Sequence, residues 1–549
     1  MKEITLKGSL TVKSQFNQGY YGKYEVIRNY FPSPDLPALI ETYSIVNTGN
    51  HDLKVEIGDS HMTACTDPES GVTGSFVITG IVNAPSFATV MPGDTLSFSA
   101  SISAVKKGEN IPEIIAENEK HKREALVDSW MNTLVLETSD KIIDRMFAFS
   151  KIRACESIYE TQGGPMHGPG GESYYAAIWA NDQAEYINPY FPFVGYDYGN
   201  ASALNSFRHF ARFMNNDMKP IPSSIIAEGL DIWNGVGDRG DAAMIAHGAS
   251  RYALARGDKK EASELWHLIE WCLDYCRYRL NHEGVVESDT DELENRFESG
   301  DANLCTSSLY YDALISASYL AKDLGKKGWK KYLSEANELR KNIEKYFGKN
   351  VSGFDTYAYY KGNDKLRAWI CIPLAMGIND RAPRTVEALF SSRLWTENGL
   401  LTEEGDKTFW DRATLYALRG AYTAGETQRA TNFLHDYSVT RLLGDHVPYA
   451  IEAWPEGSQR HLSAESGLYG RIITEGLFGI RPTGLRSFSF TPRLPDNWDH
   501  MNLRKIRAFG SDFDIEVKRT GEKINVSVTE GNKKRNFSLR NGSTISINL

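Results

Sequence analysis

The chain has few cysteines and no long apolar run, and each shortage excludes a class of protein. The cysteines are scattered and show no metal-ligating spacing with histidine, so we expect free thiols in the core rather than a disulfide-stapled domain. No apolar stretch reaches about 18 residues, which excludes a membrane-spanning helix. The six cysteines among the 549 residues are Cys65, Cys155, Cys272, Cys276, Cys305 and Cys371.

Positive charge is also in short supply. The 61 Lys and Arg residues face 71 Asp and Glu residues, which gives a formal net charge of -10. This balance argues against nucleic acid and anionic membranes as partners. The opening residues, MKEITLKGSL, lack the apolar segment of a signal peptide. We therefore expect a soluble protein, cytoplasmic or periplasmic with its signal peptide already removed.

The sequence predicts a multidomain fold that begins with strands. Residues 1–110 alternate β-branched and aromatic residues between turn signals such as Pro92-Gly93-Asp94, which is typical of an antiparallel β-sandwich. Residues 111–137 are charged and helix-patterned, and they predict a linker helix. We expect the sandwich to be a packing or positioning module that carries no catalytic residues.

Twelve helical segments are predicted between residues 138 and 482. Tight turns with glycine, such as Ala255-Arg256-Gly257-Asp258, join several of them in pairs. Six helical hairpins indicate an (α/α)6 barrel with the even-numbered helices inside. Residues 483–549 return to strands and predict a small C-terminal β-sheet.

Tryptophans and carboxylates recur in the loops that lead into the predicted inner helices. Loops at one end of a ring converge, and such side chains would line a polar, aromatic funnel of sugar size. The residues that we select from these loops are Trp179, Asp182, Trp233, Asp238, Arg239, the 289–301 loop, Trp410, Asp411, Glu452, Trp454 and Glu456.

Glycosidic cleavage needs two carboxyl groups on opposite sides of the anomeric carbon. One protonates the leaving oxygen, and the other activates water in the inverting version of the reaction. The loops before the sixth and twelfth helices face each other across a six-hairpin ring. The sequence therefore predicts an acid from 291–301 and a base from 452–456.

The chain resembles the six-hairpin glycosidases, most usefully the glucoamylase-type enzymes. Trp179-Ala180-Asn181-Asp182 stands where those enzymes have Trp-x-Arg-Asp, and Asp291-Glu292-Leu293-Glu294-Asn295 partly matches their Asp-Leu-Trp-Glu-Glu acid motif. Pro455-Glu456-Gly457 matches their Pro-Glu-Gln base motif ahead of Leu462-Ser463-Ala464. The resemblance implies Glu294 as acid and Glu456 as base. Asn181 and Gly457 depart from the pattern, which argues against ordinary α-glucose specificity.

A second resemblance is to the α-L-rhamnosidases, which share the barrel. Gly240-Asp241-Ala242-Ala243 is similar to a Gly-Asp-Ala-Ala motif of that family. The N-terminal sandwich also resembles the domain ahead of the barrel in bacterial relatives. Both resemblances imply carbohydrate metabolism.

These observations predict an exo-acting, inverting glycoside hydrolase that acts on an oligosaccharide or polysaccharide with no metal and no cofactor. Glu298, Glu292 and Asp301 stay open as alternative acids, and Glu452 as an alternative base. Three other functions stay open: an inverting phosphorylase on the same fold, a lyase or epimerase, and a non-catalytic carbohydrate-binding protein. The sugar and the oligomeric state are not predicted.

Overall fold

The fold is taken from a computed structural model, which describes residues 5–17, 19, 22–58, 61–70, 72–168, 176–233, 235–443, 450–452 and 463–549. The chain divides into two compact units, Met1–Trp130 and Met131–Leu549.

The first unit is built on an antiparallel sheet, as the sequence predicts. Six strands run in the order β1-β2-β3-β8-β6-β5, and β4 pairs with β7 in a separate two-stranded sheet. The buried core side chains of this unit include Phe31 and Ile40 of the six-stranded sheet and Val90 of the two-stranded one. The elements of this unit are β1 Leu10–Asn17, β2 Lys23–Pro32, β3 Ala38–Asn47, β4 Leu53–Glu56, β5 His61–Cys65, β6 Phe76–Asn83, β7 Phe87–Val90, β8 Thr95–Lys106 and the helix α1 Ala116–Met131.

The second unit is helical through its middle, and helix is found in all twelve predicted segments. Two of the segments contain π-helix, Asn181–Ile187 and Ile472–Leu477. The α-helices are α2 Lys141–Glu156, α3 Phe191–Val194, α4 Asp197–Ala211, α5 Asp241–Arg256, α6 Lys259–Tyr278, α7 Leu304–Asp323, α8 Trp329–Phe347, α9 Cys371–Met376, α10 Ala382–Leu389, α11 Asp411–Thr423, α12 Thr427–Leu443 and α13 Ala464–Arg471.

Six inner segments contact one another in a closed ring. The π-helix Asn181–Ile187 contacts α5, and the contacts then run through α7, α9 and α11 to α13, which contacts the π-helix again. The remaining long helices, α2, α4, α6, α8, α10 and α12, each contact at least one inner segment. Most side chains of the ring are buried, and the Ala and other small residues of its helices permit close packing.

Two glycines explain how the first inner segment fits its neighbours. A Cβ added at Gly248 of α5 would collide with the carbonyl oxygen of Ala184, and one at Gly467 of α13 would lie 2.9 Å from the carbonyl oxygen of Tyr186. Real Cβ atoms are not found that close to backbone, so both glycines are required for the contact.

The second unit ends in strands, as predicted. The five-stranded sheet runs β24-β23-β22-β21-β9, and a three-stranded sheet runs β19-β20-β25. The strands are β9 Val135–Thr138, β10 Ile158–Thr161, β11 Gly164–His167, β12 Ile178–Trp179, β13 Ser224–Ile226, β14 Asp231–Trp233, β15 Gly348–Val351, β16 Phe354–Tyr357, β17 Trp395–Thr396, β18 Gly399–Leu400, β19 Ile480–Gly484, β20 Ser487–Phe490, β21 His500–Ile506, β22 Phe513–Thr520, β23 Lys523–Glu530, β24 Lys533–Arg540 and β25 Ile545–Asn548.

Two details differ from the sequence predictions. Val135–Thr138, assigned above to the linker, pairs with β21 and forms the edge of the C-terminal sheet. Its alternation of Leu136 and Thr138 toward the core suits a strand better than a helix. Cys65 lies exposed on β5, whereas the other five cysteines are buried and free as expected.

Candidate active site

The starts of the inner helices bring charged side chains together at one end of the ring. Asp182, Asp241, Arg412 and Glu465 each occupy the first or second position of their segment. Glu292 comes from the loop ahead of α7 and joins them. The N-terminal ends of helices stabilise carboxylates, which helps the fold hold so many of them in one place.

Arg412 lies at the centre of this group. Its Nε and Nη2 donate to the same oxygen of Glu465 at 3.0 and 2.6 Å. Its guanidinium also lies 3.6 Å from Glu292 and 3.8 Å from Asp182. All four side chains are buried. We name Asp182, Glu292 and Glu465 around Arg412 the carboxylate cluster.

Two aromatic rings hold the Arg412 guanidinium in position. Its central carbon lies 4.8 Å from the ring centroid of Trp410 and 5.2 Å from that of Tyr186. Because a guanidinium stacks on aromatic faces without losing its hydrogen bonds, Arg412 remains fixed between the three carboxyl groups.

The carboxylate cluster contains three carboxyl groups but one arginine, whose single charge could neutralise one carboxylate. Burial raises the pKa of Glu465 to about 7, against the opposing charge of Arg412. Burial likewise raises the pKa of Glu292 and raises that of Asp182 well above its usual range. In the described part of the chain one oxygen of each carboxyl group lacks a hydrogen-bond partner. These groups are therefore suited to holding a proton at neutral pH.

Glu292 is oriented by two donors to its other oxygen. Tyr186 donates its hydroxyl hydrogen to Oε2, and Asn181 Nδ2 donates to the same atom at 3.2 Å. Asn181 occupies the position at which the Trp-x-Arg-Asp pattern has arginine. It joins the first inner segment to the loop ahead of α7 across the ring.

Glu294 lies in a different setting from Glu292. Arg239 donates to its Oε1 at 3.0 Å, and Glu294 is 21% exposed. Arg239 also donates to Asp241 at 2.9 Å and to the carbonyl oxygen of Ser223 at 3.2 Å.

The turn that carries Glu294 is strained. Glu294 and Asn295 have φ angles of 58° and 64°, in the left-handed region that disfavours residues other than glycine. Asp291 anchors the turn, since it accepts from the hydroxyl of Tyr359 at 2.7 Å and from the amide of Leu293 at 2.8 Å. The turn holds the Glu294 carboxylate at the edge of the buried cluster.

Two carboxylates selected from the sequence are occupied by protein groups. Asp411 accepts from Arg441 at 2.5 and 2.8 Å, from the hydroxyl of Tyr437 and from the amide of Ile451. Asp238 accepts from the amide of Gly240 and the hydroxyl of Tyr275. Both are buried, and their described contacts hold the loops in place.

The tryptophans divide into two kinds. Trp410 is buried against Arg412. Trp179 and Trp233 are partly exposed and stand in one row of the sheet β12-β13-β14, on either side of Ser224. Neighbouring strands lie about 4.8 Å apart, so the two rings are presented about 10 Å apart along one row.

The described residues among the remaining sequence candidates are more exposed than the carboxylate cluster. Glu298 and Asp301 are exposed, and Glu452 is partly exposed. The charge of Glu452 contributes to the raised pKa of Asp182. Trp454 and Glu456 lie outside the described residues. Among the residues that the structure describes, no group of His, Cys, Asp and Glu side chains has the arrangement of a metal site.

The residues selected from the sequence include neither Arg412 nor Glu465. Trp410-Asp411-Arg412 at a helix start was the available signal for Arg412. Nothing local marks Glu465, since its partner Arg412 lies 53 positions earlier in the chain.

Comparisons with known proteins place the fold among solved glycosidases. No protein-family profile matches the chain, and no curated protein is similar to it in sequence. A structure described as "Sialidase" superposes with a TM-score of 0.59 at 12% identity, over 97% of this chain and 62% of the other. The GH78 family rhamnosidase of Bacillus sp. GL1 gives 0.55 at 11%, over 92% and 53%.

The predicted resemblance to α-L-rhamnosidase-type glycosidases is thus confirmed for the fold. At these identities the likeness concerns the fold alone, and this chain spans less than two thirds of the length of either structure. One further expectation concerns membranes: in the part of the chain that the structure describes, no helix is both long and apolar enough to cross one.

Proposed function

We propose that this chain is an exo-acting, inverting glycoside hydrolase that removes terminal sugars from oligosaccharides or polysaccharides. The observation that carries the proposal is the carboxylate cluster, with Glu294 at its edge, at one end of a closed ring of helices. Buried carboxyl groups that hold protons beside ionised ones are what acid–base cleavage of a glycosidic bond requires.

We interpret the ring as an (α/α)6 barrel. The six inner segments contact one another in sequence and close, and the helices α2, α4, α6, α8, α10 and α12 each contact at least one of them. Sites in helical barrels are built where loops converge at one end, and the carboxylate cluster occupies such an end.

Glu294 and Glu292 are the two candidates for the acid, and the contacts favour Glu292. The acid must carry a proton before the reaction begins, and burial raises the pKa of Glu292. Glu294 is the counter-ion of Arg239. In this proposal Glu294 binds a sugar hydroxyl as a carboxylate while Glu292 donates the proton.

The base is proposed to be Glu456, on the strength of the Pro-Glu-Gly motif, with Glu452 as the alternative. The base takes a proton from water, and the resulting oxygen attacks the anomeric carbon from the face opposite the leaving group. The bond to the leaving oxygen breaks as the acid protonates it. Inverting enzymes keep the two carboxyl groups about 6.5–9.5 Å apart, which leaves room for the water.

The remaining selected residues are proposed to bind the sugar. Asp182 Oδ1 lies 3.8 Å from Arg412 but has no described hydrogen bond, which leaves it able to accept one from a sugar hydroxyl. Trp179 and Trp233 offer partly exposed rings for stacking on sugar faces. Trp454 belongs to the same group by its position in the sequence. Asp238, Arg239, Trp410 and Asp411 are proposed to act by holding the loops and the charged groups of the site in place.

A turnover screen tests this proposal. Aryl α-L-rhamnosides, sialosides and glucosides would be offered together with unsubstituted oligosaccharides, and NMR would identify the anomer first released. We expect release of a single terminal sugar with inverted configuration. Glu456→Gln is expected to lower kcat by about 100-fold or more, whereas Glu338→Gln, on the exposed face of α8, should leave it unchanged.

Three results would overturn all or part of the proposal. Retention of configuration would exclude the inverting reaction. Cleavage that depends on inorganic phosphate would replace the hydrolase with a phosphorylase. Binding of a saccharide without turnover, unaffected by Glu292→Gln and Glu456→Gln, would identify a carbohydrate-binding protein.

A further inference from the structure

A second charged cluster lies deeper in the ring, beyond the carboxylate cluster. Arg419 follows Arg412 by seven positions in α11, which corresponds to about 10 Å along the helix axis. Three other arginines lie at a similar depth and surround two carboxylates. We name this group the arginine layer; it consists of Arg251, Arg419, Arg471 and Arg481 with Asp312 and Glu475.

Asp312 is fully paired. Arg251 donates to both of its oxygens at 2.9 Å, and Arg481 donates to Oδ1 at 2.5 Å. The Nδ1 of His247 lies 2.7 Å from Oδ2. Burial raises the pKa of Asp312, but these charges outweigh it, and the pKa lies well below its usual range. Asp312 is therefore a fixed negative charge.

Glu475 is surrounded by arginines. Arg471 binds it through two hydrogen bonds, one of them 3.2 Å long. Arg419 Nη1 lies 3.3 Å and Arg251 Nη1 lies 3.9 Å from its Oε2. The three arginines outweigh burial and lower the pKa of Glu475 to about 2. This carboxylate is also a fixed negative charge.

The charges of the arginine layer do not balance among the described residues. Four guanidinium groups face two carboxylates, which leaves an excess of two positive charges. Burial lowers the pKa of His247 to about 4, so its ring is neutral at neutral pH. Glu185 is the carboxyl group above the layer, and burial raises its pKa well above its usual range, so it does not supply the missing charge.

Arg419 marks the place where a negative charge is missing. Its side chain is only 2% exposed, and its Nε and Nη1 have no hydrogen-bond partner. Its described contacts are the poorly aligned Glu475 and the ring of Tyr416, 4.7 Å away. Buried donors almost always find an acceptor, and a buried charge is costly without a partner.

We propose that the arginine layer binds a small inorganic anion, chloride, at the buried Nε of Arg419. A single-atom anion can be held by one such donor, whereas a phosphate would need four oxygens satisfied. Arg481, 29% exposed, gives the layer a connection to the surface. The site is distinct from the carboxylate cluster, and it does not depend on the proposed hydrolase activity.

Thermal unfolding with matched salts tests the proposal. Between 10 and 300 mM sodium chloride we expect Tm to rise by about 2 °C more than in sodium gluconate of equal ionic strength, because an anion that binds only the folded state stabilises it by mass action. Arg419→Gln should abolish the difference. Arg208→Gln, which removes an exposed ion pair with Glu264, should retain it. An equal rise in both salts, or a chloride effect that survives Arg419→Gln, would overturn the proposal.

A second measurement uses the unaltered protein, so it does not require the variant to fold. Crystals soaked in sodium bromide would be measured at the bromine absorption edge. We expect an anomalous peak in contact with Nε of Arg419. Bromide peaks confined to the surface would show that the layer holds no halide and would refute the site.

Discussion

The carboxylate cluster and the arginine layer both involve inner helices of the ring but differ in their ratio of acidic to basic groups. In the first, three carboxyl groups share Arg412, and burial raises all three pKa values. In the second, arginines outnumber carboxylates, and the pKa values of Asp312 and Glu475 are lowered. One end of the ring can therefore exchange protons near neutral pH, while the other carries fixed ion pairs that hold the helices together.

The largest expected effect comes from Glu292→Gln. If Glu292 is the acid, kcat/KM on an unactivated oligosaccharide should fall by about 1000-fold, the contribution typical of a positioned proton donor. Stability should change less than activity, because burial favours the protonated form of Glu292 and the amide has nearly the same shape. Steady-state kinetics and urea unfolding of the same preparation measure both. Unchanged kcat/KM, with loss of activity in Glu294→Gln instead, would move the acid to Glu294.

Asp312→Asn, in the arginine layer, should instead lower stability more than activity. Removing the carboxylate leaves Arg251 and Arg481 without their partner in a buried setting, and we expect the free energy of unfolding to fall by about 3–5 kcal/mol. Urea unfolding measures the loss. Asp380→Asn breaks an ion pair of similar geometry with Arg340 at the surface and should cost less than about 1 kcal/mol. Similar losses in both variants would contradict the assignment.

Two glutamates on the last inner segment should give opposite pH dependences. Burial raises the pKa of Glu465 to about 7 in the folded protein. Its contribution to the free energy of unfolding is therefore largest near and below pH 4.5. Up to about 3 kcal/mol of that contribution is lost as the pH rises to 7. Glu475 has its pKa lowered to about 2, so its contribution is complete above pH 4.5 and is lost as pH falls toward 2.

Unfolding free energies between pH 2.5 and 7.5 separate the two. Glu465→Gln should flatten the profile on the neutral side, and Glu475→Gln should flatten it on the acid side and destabilise the protein at pH 7. If Glu465→Gln left the neutral side unchanged, Glu465 would be ionised in the folded protein, and its ion pair with Arg412 would dominate over burial.

The smallest effect is expected at Glu185, which lies between the two charged groups. Its Oε2 accepts from the hydroxyl of Tyr416 at 2.8 Å, and burial keeps the carboxyl group neutral. Glu185→Gln should therefore change the free energy of unfolding at pH 7 by less than about 1 kcal/mol. A much larger loss would mean that Glu185 is charged, which would also reduce the positive excess of the arginine layer by one.

Much of this architecture follows from local signals. Gly257 ends α5, and the next residue, Asp258, caps the start of α6 with its side chain. Both residues can be recognised as helix end and helix start from the sequence alone. The residue alternation that predicts the strands and the apolar spacing that predicts the helices likewise depend only on residues close together in the sequence. The loops rich in Trp and carboxylates were found in the same way.

The pairing of charges could not be found in that way. Tyr416 reaches Glu185 across 231 positions and Asn181 reaches Glu292 across 111, so each bond exists only after the ring closes. Asp411 shows the converse, because a carboxylate beside a tryptophan resembles a sugar ligand until Arg441 and Tyr437 are seen to occupy it. Residue type and position in the sequence do not decide which acid is paired with an arginine and which holds a proton.

Closure of the ring also has a consequence for how the chain is made. The π-helix Asn181–Ile187 needs α13 beside it, and α13 follows about 280 residues later. At synthesis rates of about 5–20 residues per second, the first inner segment waits roughly 15–60 s for its last neighbour. During that interval the side of the π-helix that α13 covers remains without its neighbour. The ring therefore cannot close before translation passes residue 471.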